Sequence, residues 1–326
     1  MRLSTSNFSA KVAAFAAVIA VSLAAMEWYA RTSSAFASGE QWMIGKYTTS
    51  DPSNAVFGDS QIGGSNRIDG FEFFGWAGTE PDELERLVKY IYTFRKPKRV
   101  IFELAPQLFS DYEGREEFVT WKNLPFRYLP LLISSPYFYE DMKRALGLDT
   151  KGLIGRIVTS AHASTLTPPD KEASANSQGR WAAAVDKVGG GYNFNWDTLG
   201  VDDRHLLSLS RVFSQNPIDG FATSEKAKSY EVALQYLIDK GADICLYRPP
   251  VTPELEKLQF EIPSSNYRAF EEYAERLAHT KKLRFISYKD LRLQFDNSMF
   301  FNQDHMNSKG LNATWPKVKE ACFPTG

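Results

Sequence analysis

The chain has 326 residues, 43% hydrophobic and 24% charged, with a formal net charge of −1 at pH 7. Those values describe an ordinary globular protein, long enough for one large α/β domain or two small ones. The balanced charge lacks the basic excess of a nucleic-acid binder. Two cysteines do not make a disulfide framework, and no Cys/His spacing resembles a zinc site, so neither a metal nor another cofactor is implied.

Arg2 and Lys11 flank a polar start, and an apolar run then extends from Val12 to Met26. Glu27, Trp28, Tyr29 and Arg31 follow as an aromatic and charged collar of the kind found at membrane interfaces. This fifteen-residue run falls short of the ~20 that span a bilayer, although snorkelling of Lys11 and Arg31 lengthens the effective span. Residues 1–31 are read as a membrane anchor. The alternative is a cleaved signal segment, with "AFA" at 35–37 as the cleavage site. Either way, positive charge before the apolar run puts the N-terminus in the cytoplasm and the main domain on the extracytoplasmic, periplasmic side. Residues 32–50 read as a polar tether.

From residue 51 onward apolar runs alternate with helical patterns. A strand ending in "VFG" (56–58) and a short one in "GFEFFGW" (70–76) come first. Three more strands, "VIFELAPQLF" (100–109), "ADICLYRPP" (242–250) and "LRFISYKDL" (283–291), each follow an amphipathic segment. Such alternation indicates βαβ units and a parallel sheet. Asp82 is placed to cap the first helix, Gly241 to close the second, and Ser308 to cap the last. Between about 110 and 225 the rhythm is lost. Residues 123–147 read as helical with breaks at Pro125, Pro130 and Pro136, whereas 164–179 and "GGGYNFNW" (189–196) read as loops. This insertion is either a surface elaboration or a cap over a site at the carboxyl edge of the strands.

"GDSQIGG" (58–64) places Ser60 at a tight turn after a strand, lifted above the sheet edge, with glycines that leave amides free to face an oxyanion. A serine hydroxyl needs a base. His305, in "FFNQDHMNSKG" after the last strand, can reach it, because loops after several parallel strands meet at one edge. His162, His205 and His279 read as surface or satisfied core residues. Arg248, at a strand end, reads as a structural ion pair, with a carboxylate or phosphate ligand as the alternative. Trp181, Tyr192 and Trp196 read as core aromatics, with stacking on sugar rings as the alternative. Cys245 reads as a small buried hydrophobe, or as Cys322's disulfide partner if the compartment is oxidising.

These blocks resemble the SGNH/GDSL hydrolase superfamily. "GDSQIG" is similar to its first block, "FFGWAG" to its second, and "FFNQDHMNSKG" to its last. The anchor, the long insertion and "LYRPPVTPEL" (246–255) resemble its membrane-anchored branch, which includes the alginate O-acetylation proteins and the D-alanyl-transfer protein of teichoic acid synthesis. The resemblance implies a three-layer, doubly wound parallel sheet of SGNH/flavodoxin-like type over 51–326, with a mostly helical insertion and an N-terminal membrane helix. It implies Ser60 as nucleophile, His305 as base, Gly78 as an oxyanion-hole donor, Asp59 as a structural member of the turn and Gln61 as a lining residue. Two positions depart from the pattern. The Asn donor of the third block is missing at "ELAPQLF", where Gln107 or a backbone amide replaces it. The D-x-x-H spacing back from His305 lands on Asn302. Asp304 compensates only if the loop turns both side chains inward, and neighbouring side chains usually diverge. The expected form is therefore a Ser-His dyad oriented by a neutral or backbone acceptor.

The function so implied is an exported, membrane-tethered O-acyltransferase, moving acetyl groups onto a cell-envelope or secreted polysaccharide. A multi-spanning membrane-bound O-acyltransferase would be the partner that delivers the acyl group. An esterase on the same substrates, or a catalytically silent polysaccharide-binding scaffold, are the rivals. Asn302 favours the scaffold; retention of Ser60 and His305 opposes it.

Overall fold

Five short apolar runs become five parallel strands: β1 (Asn54–Gly58), β2 (Glu72–Gly75), β3 (Arg99–Glu103), β4 (Asp243–Arg248) and β5 (Arg284–Ser287), in the order β2-β1-β3-β4-β5. The computed structural model describes residues 5–32, 51–62, 68–75, 78–93, 95–111, 171–262 and 265–324. The expected helix at 123–147, the tether beyond residue 32, "AFA" and Gly63 and Gly64 lie outside them. Two compact units result: residues 1–49 with 119–161, and residues 50–118 with 162–326.

Strands buried on both faces need no polar side, which explains their continuous apolar runs. Val56, Ile101, Cys245 and Tyr247 pack in one cluster with Trp315 and Val318 of the C-terminal helix. Phe57 and Phe102 point the other way, with ring centroids 5.9 Å from Tyr92 and 5.1 Å from Tyr230 respectively. Helices therefore cover both faces. The chain runs from β1 to β2 on one side and returns to β3 on the other, so the order reverses beside β1. Ligands of open α/β sheets bind at such a switch point, outside the carboxyl ends of the strands.

Strand ends differ from the sequence expectation for identifiable reasons. The run at 100–109 leaves the sheet after Glu103, because Pro106 has no N–H to donate, and Pro106–Phe109 forms a 3-10 turn. The run at 283–291 stops at Ser287, whose N–H donates to Asp290 Oδ2 at 2.8 Å and opens another 3-10 turn, Tyr288–Leu291.

Two helix caps are corrected. The helix after β2, α2 (Pro81–Tyr92), starts on Pro81, and its N-cap is Glu80 rather than Asp82; the Glu80 N–H donates to the Glu83 carboxylate at 2.9 Å. Proline is suited to that first position, where its missing N–H has no partner anyway. The C-terminal helix is capped by Asn307, which accepts from Gly310 N at 3.1 Å, and not by Ser308. Gly241, in the left-handed region at φ +79°, closes the helix Glu225–Asp239 as expected.

The expected loop over 164–179 differs from residue 171 on, and 164–170 lie outside the described residues. From Lys171 to Lys187 the chain is helical (α3), and its alanines supply the propensity that its Ser and Asn lack. A further helix, α4 (Val201–Gln215), is tied to α3 where Arg180 Nε donates to Asp203 at 2.9 Å. With α5 (Glu225–Asp239), α6 (Pro253–Glu261), α7 (Tyr267–Lys281) and α8 (Ser308–Cys322), both helices belong to the unit that holds the sheet. The described half of the insertion is thus part of the main domain.

In the other unit, α1 covers Thr5–Thr32. Among the described residues no helix is long and apolar enough to cross a membrane, so the expected N-terminal membrane helix is not found. Its mainly apolar run from Val12 to Met26 rises only about 22 Å at 1.5 Å per residue, against ~30 Å of hydrocarbon.

Cys245 and Cys322 form a disulfide that joins β4 to the end of α8 across 77 residues. Replacing both by alanine should lower unfolding free energy by about 2–5 kcal/mol in urea titrations at pH 7. An unchanged midpoint would show that the cross-link constrains nothing that packing does not already hold.

Candidate active site

β1 and β3 deliver the site at their carboxyl ends. Gly58 is required there: a Cβ would lie 2.1 Å from Glu103 Oε2 and 2.4 Å from Ile62 Cδ1. Asp59 follows, and its Oδ1 accepts the Gln61 N–H at 2.6 Å. This side-chain turn starts the short 3-10 segment Ser60–Ile62 and lifts Ser60, partly buried, above the strand end.

The opposite wall is a loop pinched off by an antiparallel bridge between Phe300 and Met306. Phe301 N–H donates to His305 O at 3.0 Å and Asn307 N–H to Met299 O at 2.9 Å. Asn307 also donates its Nδ2 to Phe194 O, Ser298 O and Phe300 O at 2.9, 2.8 and 3.1 Å. Gly310 allows α8 to press on this loop, since a Cβ would sit 2.2 Å from Met299 O.

Within the loop, Asn302 Oδ1 accepts two backbone N–H groups, Asp304 at 3.1 Å and His305 at 2.7 Å. That tight turn swings the Asp304 side chain back towards the ring of its own neighbour. His305 Nδ1 lies 2.9 Å from Asp304 Oδ1 and 3.1 Å from Asn302 Oδ1. On the other side of the ring, His305 Nε2 is 2.8 Å from Ser60 Oγ. The structure therefore brings Ser60, His305, Asn302 and Asp304 together, and the expectation that Asp304 diverges is corrected. Asn302 shapes the turn, and Asp304 supplies the charge. A deprotonated Asp304 can only accept, so Nδ1 carries the imidazole proton and Nε2 is free to take one from Ser60.

Asp304 is buried to 1% exposure, and its remaining oxygen is well supported. Oδ2 accepts Gln215 Nε2 at 2.8 Å and Gln61 Nε2 at 3.2 Å, and Arg211 Nε stands 3.5 Å away. Burial alone would raise this carboxyl. The Arg211 guanidinium, then His305 and the hydrogen bonds from His305 and Gln215, outweigh burial and hold it below the usual carboxylate range. Arg211 and Gln215 were not singled out from the sequence. Their i,i+4 spacing puts them on one helix face, but only the packed fold reveals the partner that face meets.

The other candidate residues separate. Gln107 does not serve as an oxyanion donor: its Nε2 is bonded to Asp59 Oδ2 at 2.9 Å and Glu103 Oε1 at 3.2 Å. Gln61 lines the site, with its backbone N–H occupied by Asp59 and its side chain by Asp304. Gly78 is buried at φ +79°; Trp76 and Ala77 before it lie outside the described residues. Neither the Ser60 nor the Gly78 amide is hydrogen-bonded to another described residue. Arg248 is buried, pairs with Glu271 and lies over the rings of Phe270 and Tyr288, which is the structural reading. His205 makes a surface pair with Glu254 at 2.8 Å. Trp196 is fully buried, and Trp181 donates to Phe301 O at 2.9 Å. Tyr192 is 48% exposed. Its ring packs 5.7 Å from that of Phe301, which in turn lies 5.3 Å from the His305 ring. Among the described residues no His/Cys/Asp/Glu cluster could hold a metal ion.

Compared with known proteins, the chain matches no family model and no curated protein.

The lowered Asp304 titration has a sign that can be measured. Its charge contributes stability above its unfolded value, near 3.8, and that contribution is lost as pH falls through the lower folded value. Asp304→Asn should cost on the order of 2–3 kcal/mol at pH 7, and wild type should lose more stability than the variant between pH 5 and pH 2. Parallel unfolding curves for the two proteins would refute the assignment.

Proposed function

We propose that the chain is a serine-dependent acyl-transfer enzyme of the SGNH/GDSL kind, acting on a polysaccharide outside the cytoplasm. One observation carries this reading: Ser60 Oγ, His305 and the buried Asp304 carboxylate form an unbroken hydrogen-bonded series of 2.8 and 2.9 Å. A serine and histidine retained without catalytic work have no need of a charge held so firmly behind the ring.

The chemistry follows from the geometry. Ser60 Oγ attacks an acyl carbonyl while His305 Nε2 takes the hydroxyl proton. The imidazolium so formed is stabilised by Asp304, which stays ionised. The amides of Ser60 and Gly78 are the donors for the tetrahedral oxyanion. His305 then returns the proton to the leaving oxygen, and the acyl group remains on Ser60. A sugar hydroxyl, deprotonated by the same imidazole, attacks the acyl-enzyme; the Ser60 Oγ–acyl bond breaks, the group leaves on the sugar oxygen, and His305 returns the proton to Ser60 Oγ. If water attacks instead, the outcome is ester hydrolysis.

The acceptor class is supported by Tyr192 and Phe301, an aromatic pair reaching from solvent to the catalytic ring, as sugar rings favour apolar stacking faces. The disulfide supports an oxidising, extracytoplasmic location, with the N-terminal apolar segment as the export signal. Acetyl is the proposed acyl group and a membrane-bound O-acyltransferase the proposed donor; both rest on the resemblance of the three sequence blocks. The place of Asp304 beside the His305 ring supports the catalytic reading over the silent scaffold, because it offers the charge that Asn302 lacks.

The test uses a serine-reactive fluorophosphonate and a chromogenic acetyl ester. Ser60→Ala should abolish labelling, His305→Ala should slow turnover at least about 10³-fold and Asp304→Asn about 10⁴-fold. Asn302→Asp should bring no gain, because the ring already has its charge. Wild-type labelling no faster than that of Ser60→Ala would end the proposal. Mass spectrometry of an oligosaccharide incubated with the acyl-enzyme separates transfer from hydrolysis.

A further inference from the structure

Behind the nucleophile turn lie two carboxyls that the chemistry above leaves unused. Glu103 ends β3 at 0% exposure and Asp59 follows β1 at 1%. Glu103 Oε2 accepts the Asp59 backbone N–H at 2.5 Å. The two hydrogens of Gln107 Nε2 bridge the pair, at 2.9 Å to Asp59 Oδ2 and 3.2 Å to Glu103 Oε1. Asp59 Oδ1 accepts the Gln61 N–H. Among the described residues no lysine or arginine pairs with either carboxyl. Facing polar groups are the neutral amides of Gln107 and Gln61, Tyr230 of α5, whose hydroxyl donates to Glu103 O at 2.6 Å, and Tyr247 of β4, paired beside Glu103 in the sheet. His305 stands beyond Ser60.

Two negative charges cannot share a dry pocket without a cation. We infer that Asp59 and Glu103 hold a single proton between them, that it resides on Glu103, and that this neutral acid is the positioning residue of the nucleophile turn. Asp59 remains the anion. It is fixed by Gln107, by the Gln61 amide and by the Glu103 hydroxyl, and Glu103 in turn fixes the Asp59 backbone. The electrostatic directions agree. Burial, then the Asp59 charge, push Glu103 well above its ordinary value, whereas burial raises Asp59 against the opposing hydrogen bonds from Gln107 and the Gln61 amide.

A raised acid makes stability pH-dependent in a defined direction. In the unfolded chain Glu103 ionises above about 4.5, but in the fold it stays protonated. Its contribution is full below that value and is lost as pH rises through the folded one. Glu103→Gln keeps a carbonyl for the Asp59 N–H and an N–H for the Asp59 carboxylate, without a proton to lose.

The inference rests in part on the acyl-transfer reading, so the experiment on the full chain has two independent arms. In urea unfolding from pH 5 to pH 9, Glu103→Gln should remove much of the wild-type decline in stability with rising pH. With fluorophosphonate at pH 7, Glu103→Gln should label within about threefold of wild type and hold its rate to higher pH, whereas Glu103→Ala should fall more than about thirtyfold. Identical pH dependence of unfolding in wild type and Glu103→Gln would overturn the shared proton. A Glu103→Gln labelling rate as low as that of Glu103→Ala would overturn the positioning role. If Glu103→Gln does not fold, infrared spectroscopy of the otherwise wild-type chain decides. It should show a protonated buried carboxyl at pH 7, where an ordinary glutamate is ionised, and its absence refutes the inference. That measurement needs a Glu83→Gln background, because burial also pushes Glu83 up to about 8. Failure of Ser60 to label in any form removes the acyl-transfer reading and leaves the unfolding result standing by itself.

Discussion

The site depends on keeping one carboxylate charged in a place where water cannot reach it. Asp304 is nearly inaccessible, and an ion there is costly unless every lone pair is answered. The fold answers them from three directions. The loop before α8 supplies His305, the turn after β1 supplies Gln61, and α4 supplies Arg211 and Gln215. These segments are far apart in the chain, so forming that charge cluster commits the tertiary structure. What looked like an insertion between the second and third long strands carries the cation that makes the acid usable.

The sheet explains why the parts meet. Reversal of strand order beside β1 leaves the carboxyl ends of β1 and β3 facing open space, and glycine keeps that corner tight. A Cβ on Gly75 would be 1.9 Å from Gly58 O, so β2 closes on β1 at the level where Ser60 rises. From there the two acid clusters divide the work by environment. Among the described residues Glu103 and Asp59 have no paired cation, and on the inference above they retain a proton; Asp304 has Arg211 and does not.

Much of this was legible in the sequence. All five strands and the closing glycine at 241 follow from periodicity and turn residues, because those signals are local, whereas Ser60 and His305 were singled out as a pair through the resemblance of three short blocks. Asp304 was not legible as the orienting acid. Its orientation is decided by two N–H groups closing on the Asn302 side chain, and a spacing rule cannot see that. Gln107 was misjudged for the same reason: an amide at a strand end can face an oxyanion or a neighbouring acid, and a buried Glu103 four residues earlier settles which. The helix at 171–187 was misread because its Ser and Asn content looks loop-like until alanine is weighed with it. Arg211 and Gln215 belong to contacts that exist only after packing.

Gln61 connects the two halves of this arrangement. Its backbone is held by Asp59, on the side of the protonated pair, and its side chain by Asp304, on the side of the catalytic ring. A single residue next to Ser60 is therefore a rigid strut between the front and rear acid groups. Rotation of Ser60's backbone would strain both ends of it at once. On the acyl-transfer reading proposed above, the Ser60–His305–Asp304 geometry is assembled before any substrate arrives, which would leave discrimination between acceptors to the outer rim rather than to movement at the reacting centre.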